Sequence, residues 1–167
     1  MLKKKILKAL TRQINEEMYS GYLYLSMESY FRSISLSGFA SWMRVQAQEE
    51  LAHGMKFYDY VNERGGRVIL DTISRPNAEW ETPLVAFDQI MAHEEKVTAL
   101  INNLMDLAIT EQDHATKIIL QWFVSEQVEE ESSVGDVLNK LRLIQNDSSG
   151  LFMLDAEMAK RVFVLPA

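Results

Sequence analysis

The chain has 167 residues, 47% of them hydrophobic and 25% charged, which suits one domain with one core and is too apolar for a disordered chain. A net charge of −7 argues against a phosphate backbone as partner, and the absence of cysteine excludes disulfides, iron–sulfur clusters, Cys-based zinc sites and a cysteine nucleophile. Seven Gly and three Pro are too few for a loop-rich β protein, and no apolar run approaches the ~18 residues of a membrane-spanning helix.

The opening MLKKKILKAL carries a basic cluster like a signal n-region, but Lys8 interrupts its apolar run and no small-residue cleavage site follows. It reads as the first turns of a helix in a cytoplasmic protein. Apolar residues then recur at alternating three- and four-residue steps: Leu7, Leu10, Ile14, Gly21, Tyr24, Phe31. Ser35, Ser37 and Gly38 break the pattern. The second helix runs through Phe39, Met43, Gln46, Phe57 and Tyr60 and stops at Gly65-Gly66. Thr82 is the expected N-cap of the third, with Pro83 at its first position. That helix runs through Phe87, Ile90, Val97, Ile101 and Leu104. After a turn at Glu111-Gln112-Asp113, where Asp113 can cap, the fourth follows Leu120, Phe123, Val134, Val137 and Leu141. Asp147-Ser148-Ser149-Gly150 ends it, and a short fifth helix follows. The expected spans are about 3–33, 38–65, 84–111, 114–145 and 149–161, in a single domain covering 1–167.

Four long helices with 3-4-3-4 seams predict an all-α four-helix bundle. Short turns make helices one and two antiparallel neighbours, and likewise three and four. Residues 66–83 extend to at most roughly 60 Å, enough to run the length of ~28-residue helices of about 42 Å. They therefore read as a crossover that leaves helices two and three parallel.

Each seam is interrupted by polar residues near its helix midpoint: Glu17; Glu50 and His53; Glu94; Gln127 and Glu130. Aligned midpoints share one layer, so these six side chains should meet inside the bundle. Four carboxylates there, with no Lys or Arg within a turn on the seams, must take up protons or hold cations. Two divalent cations would neutralise them. The pairs Glu50/His53 and Gln127/Glu130 each share a helix face. Calcium seldom takes imidazole and structural zinc prefers a closed N/S set, so oxygen ligands with one His point to iron or manganese. Glutamates on all four helices form the di-iron carboxylate pattern. Glu49, Glu126 and Glu129 flank this stripe, either as a solvated acidic face or as a further metal site. Tyr24, one heptad from Glu17, and Trp122, one turn before Glu126, read as core aromatics placed to donate electrons. Glu28 falls on the first seam without an evident partner. His93 and His114 read as surface residues, and the Met residues as core fillers.

The residues resemble a known family, the non-haem ferritins of bacteria and archaea. The resemblance spans essentially the whole chain. It rests on Arg12-Gln13-Ile14-Asn15-Glu16-Glu17, Tyr22-Leu23-Tyr24-Leu25-Ser26-Met27, Gln48-Glu49-Glu50-Leu51-Ala52-His53, Glu63-Arg64-Gly65-Gly66-Arg67-Val68, His93-Glu94 and Glu126-Gln127-Val128-Glu129-Glu130-Glu131. It implies a ferroxidase centre oxidising Fe²⁺ to Fe³⁺ with O₂ or H₂O₂. Glu17, Glu50 and His53 would hold one iron, and Glu50 would bridge to a second held by Glu94 and Glu130, with Gln127 beside it. Glu49, Glu126 and Glu129 would take a third iron, sharing Glu130. It also implies a homo-oligomeric cage, usually of twenty-four subunits, that stores hydrated ferric oxide; the partners are iron and oxidant, with no nucleic acid or membrane. Gln127-x-x-Glu130 stands where bacterioferritins and rubrerythrins carry Glu-x-x-His, and Leu51 where bacterioferritin has its haem-ligating Met, so no haem is expected. A non-storing di-iron redox enzyme and a bundle of protonated seam glutamates are the alternatives.

Overall fold

The computed structural model describes residues 2–145 and 147–164. Five helices follow one another: α1 (Lys4–Ser33), α2 (Ser37–Glu63), α3 (Pro83–Thr110), α4 (His114–Ile144) and α5 (Ser148–Met158). Their ends follow the local chemistry. Thr82 accepts a hydrogen bond from the Val85 N–H at 3.1 Å, with Pro83 opening α3. Asp113 caps α4 through the Thr116 N–H, and Asp147 caps α5 through Ser149 and Gly150. At the end of α2, Gly65 N–H bonds Asn62 O and Gly66 N–H bonds Val61 O, a Schellman closure with Gly65 at φ +71°. α5 stops at Met158, short of the expected 161, because its last bonds tighten: Lys160 reaches Glu157 O and Arg161 reaches Met158 O instead of going one residue further back.

Side-chain pairs fix the helix directions. Glu28–Arg44 and Glu50–His53 beside Glu17 run α1 against α2. Tyr24–Glu94 and Glu16–Lys96 run α1 against α3, and Arg142–Asp88 with Gln127–Glu94 run α3 against α4. α2 and α3 are therefore parallel. The crossover that permits this lies along α1, where Asn15 donates to Thr72 O at 3.2 Å and Ser26 to Asn77 O at 2.6 Å. Trp80 anchors its far end, buried against Tyr30 and donating to Gln89.

Two apolar clusters fill the bundle ends. One joins Phe31, Phe39, Met43, Phe87, Val134 and Leu141, and extends to Leu154 and Met158 of α5. The other joins Ile6, Leu10, Phe57, Ile101, Leu120 and Phe123, with the Phe57 and Phe123 rings stacked 3.8 Å apart. A buried polar layer of Gln13, Glu17, Ser20, Gln46, Glu50, His53, Glu94, Gln127 and Glu130 separates them. Small residues let α1 and α2 close on each other at that level: a Cβ at Gly21 would lie 3.3 Å from Ala47 O, and one at Gly54 2.9 Å from Met18 Cε. No helix among the described residues is long and apolar enough to cross a membrane.

Candidate metal centre

All four long helices contribute to the layer. From α1, Glu17 accepts a hydrogen bond from Gln13 at 2.9 Å. From α2, Glu50 and His53 share a face one turn apart, with His53 Nδ1 3.7 Å from Glu50 Oε2. From α3, Glu94 accepts from the Tyr24 hydroxyl and from Gln127 Nε2 at 3.3 Å. From α4, Glu130 accepts from Gln46 Nε2 at 2.8 Å. Glu17, Glu50 and His53 bring one donor atom each within 4.8 Å of one another. His53, Glu126 and Glu130 do the same, so the imidazole stands between two carboxylate groups.

The electrostatics are those of crowded acids in a dry site. Burial raises the pKa of Glu17, Glu50 and Glu94, against the pull of His53 and of their hydrogen-bond donors. Burial and the neighbouring Glu94 hold Glu130 at about 7. Burial alone would push the His53 imidazolium down, but Glu126 and Glu50 outweigh it and raise its pKa to about 11. Tyr24, fully buried and facing Glu94, Glu50 and Glu130, is pushed well above 10 and stays a phenol.

One atom is out of keeping with a satisfied core. His53 Nε2 is buried with no hydrogen-bond partner, 3.6 Å from Glu126 Oε1 and edge-on to Trp122 and Phe123. Gln46 Oε1 is likewise buried and unpaired. Once it gives up its proton, an imidazole nitrogen ringed by carboxylate oxygens has the donor chemistry of a metal ligand, and the O-rich set with one N suits iron.

The flanking residues separate. Glu126 joins the His53–Glu130 group, while Glu129 is exposed. Glu49 is taken by Arg161, whose Nη2 lies 2.6 Å from Glu49 Oε2. Burial raises Glu49 to about 7 even with Arg161 opposing it. Trp122 stands 5.4 Å from the His53 ring, under the Lys56 ammonium. Glu28 does have partners: Arg32 at 2.7 Å and Arg44 at 2.9 Å. His114 is exposed. His93 is not a surface residue. It is buried between Tyr19 and Ser20 of α1, with Nε2 2.8 Å from Ser20 Oγ. The seams of α3 alone could not reveal this, because α1 covers that flank. Burial lowers its pKa to about 4, so it is neutral.

Gln13 and Gln46 hold carboxylates of the layer and Arg161 stands at its rim; the sequence reading places none of them in the site. The two amides sit one turn from Glu17 and Glu50, a spacing that could have flagged them. Nothing in sequence spacing points to Arg161.

A four-helix bundle with one long crossover, a short fifth helix and a carboxylate–imidazole layer contributed by all four long helices defines a ferritin-like protein. The ferritin-like domain family matches residues 7–144. The bacterial non-heme ferritin of Staphylococcus epidermidis is 41% identical over 163 residues, covering 98% of each chain. That of Bacteroides fragilis is 39% identical, covering 96% of this chain and all of its own. The open-pore ferritin of the hyperthermophilic archaeon Archaeoglobus fulgidus superposes with a TM-score of 0.96 at 53% identity, over 97% of this chain and 100% of that one. A closed form of the same ferritin, engineered by site-directed mutagenesis, gives 0.97 over 98% and 100%. The chain belongs to the ferritin family.

Proposed function

We propose that this protein oxidises Fe²⁺ at the mid-bundle layer and stores the ferric product inside a homo-oligomeric cage, in the cytoplasm. The observation that carries this reading is the unpaired, buried His53 Nε2 among carboxylates whose pKa values burial has raised. Acids in that state release protons when a cation arrives, and the cation removes their mutual repulsion.

Iron is the substrate here. Glu17, Glu50 and His53 hold one Fe²⁺; Glu94 and Glu130 hold a second, with Glu50 bridging and Gln127 beside it. Each Fe²⁺ gives one electron, so two Fe²⁺, one O₂ and two protons yield two Fe³⁺ and one H₂O₂; with H₂O₂ as oxidant, two Fe²⁺, one H₂O₂ and two protons yield two Fe³⁺ and two H₂O. Tyr24, through its hydrogen bond, fixes the carboxylate of Glu94. Gln13 and Gln46 do the same for Glu17 and Glu130. Gln127 offers a neutral amide where a carboxylate would bind Fe³⁺ more tightly, which favours release of product. Glu126, and with it Glu49 and Glu129, form the outer acidic edge that would take a third iron as it leaves for the cavity.

The test loads the metal-free protein anaerobically with two Fe²⁺ per chain and then admits O₂. The expected result is rapid oxidation with one O₂ consumed per two irons, followed over many additions by iron that sediments with a particle far larger than a monomer. Oxidation without retained iron would favour the non-storing redox enzyme, and no oxidation above the protein-free rate would overturn the reading.

A further inference from the structure

Arg161, just past α5, is brought to Glu49 of α2 by a defined route. The first turn of α2 has no side chain of its own to cap it; instead Asp155 Oδ1 of α5 accepts from the Phe39 N–H at 2.9 Å. α5 sits so close here that a Cβ on Gly38 would lie 1.7 Å from the Asp155 carbonyl oxygen. Leu154 and Met158 bury its inner face in the apolar cluster. Just past its end, the Arg161 N–H bonds Met158 O and the side chain returns to α2. There the guanidinium lies 4.5 Å above the Trp42 ring and Nη2 meets Glu49 at 2.6 Å. The other terminal nitrogen, Nη1, is buried with no hydrogen-bond partner.

We propose that Arg161 is a built-in cation that competes with a metal ion for Glu49 at the outer edge of the centre. The inference rests on the paired-centre reading above. A guanidinium is charged at every working pH, and this one is partly desolvated, stacked on an indole and joined to a carboxylate. It occupies Oε2 of Glu49, one of the two oxygens that carboxylate could offer a third cation. A metal ion that takes this oxygen displaces Arg161, and one that takes the other meets its positive charge, so the third position is weakened by competition, while Arg161 makes no hydrogen bond to Glu17, Glu50, His53, Glu94 or Glu130. The spare Nη1 donor leaves the guanidinium incompletely satisfied, which lowers the cost of displacing it. The strength of the third position is thus set by the docking of α5.

Calorimetric titration of the metal-free, assembled protein with Zn²⁺, a redox-inert probe, tests this. Arg161→Met removes the charge and keeps an apolar stem over Trp42. The wild type should bind two Zn²⁺ per chain tightly and a third weakly. Arg161→Met should shift the first two, one of whose ligands, Glu130, also feels the Arg161 charge, by less than threefold and bind the third at least tenfold more tightly, and Glu49→Gln in that background should abolish the gain. Arg161→Lys, which keeps a cation, should stay within about threefold of wild type. If Arg161→Met and the wild type bind two tightly and the same weak third, the competition does not exist and the inference falls while the paired centre stands. A wild type that binds no Zn²⁺ overturns the paired centre, and this inference with it.

Discussion

Buried acids occur in two kinds of place in this bundle, and they are treated in opposite ways. Near the ends, each is matched by arginine. Asp113 meets the Arg64 guanidinium through both oxygens at 3.1 Å, and Glu28 lies between Arg32 and Arg44. At the middle, Glu17, Glu50, Glu94 and Glu130 share one imidazole, and one arginine stands at the rim. The arginine fork lowers the pKa of Asp113 against the burial that would raise it, whereas burial raises those of the mid-layer acids. Paired acids hold the ends together. Unpaired acids leave the middle short of positive charge, which is what a site for an exchangeable cation needs.

If that contrast is right, substitution should cost stability at the ends and iron oxidation at the middle. The largest effect belongs to Asp113→Ala, which removes both the α4 cap and the partner of Arg64; it should destabilise the protein by about 2–3 kcal/mol, read from the urea midpoint. A loss under half a kcal/mol would mean the pair is ornamental.

Glu50→Ala and His53→Ala act on the chemistry instead. Each should slow the initial oxidation of Fe²⁺ more than tenfold, about 1.4 kcal/mol or more of barrier, while the fold survives by far-ultraviolet circular dichroism. Normal initial rates in both would remove these residues from the centre.

Glu28→Gln should cost about 1 kcal/mol, less than the change at Asp113, because its two arginines are exposed and return to water. Iron oxidation should be unaffected in this variant.

The smallest effect on stability, and the sharpest in sign, is Glu17→Gln. In metal-free protein it should leave the thermal midpoint unchanged or slightly higher, because a repelling acid is gone. It should also shrink the rise in midpoint that Zn²⁺ produces in the wild type.

The pH profile extends the same comparison. Glu49 and Glu130, at about 7, and His53, at about 11, all hold protons more tightly in the folded state than in the unfolded chain. Their contribution is fully present below the unfolded values and is lost as pH rises, so metal-free stability should fall from about pH 5 toward alkaline pH. Asp113 has the opposite sign: its contribution is present above the ordinary aspartate range and is lost as pH falls through its lowered value. Asp113→Ala should therefore flatten the acid limb alone. Saturating Zn²⁺ should flatten the alkaline fall, and an unchanged fall would place the raised groups outside the metal site.

Much of this was written in the sequence, for a physical reason. A helix seam records burial residue by residue, so a glutamate at Glu17, Glu50, Glu94 or Glu130 announces a buried charge, and four interruptions near four midpoints announce a layer. The caps at Thr82 and Asp113 are equally local, since a side chain three residues away satisfies an N–H that the helix leaves open. The crossover follows from chain length alone. Tertiary structure decided what depends on a neighbour's flank. His93 is off its own seam and is buried because α1 lies over it. Glu28 finds Arg32 on its own helix, but Arg44 only across the α1–α2 contact. Arg161 reaches Glu49 because Gly38 lets α5 settle against α2 and Asp155 caps it there. Periodicity reports which way a side chain faces within its own helix; it carries no record of which remote charge will come to meet it.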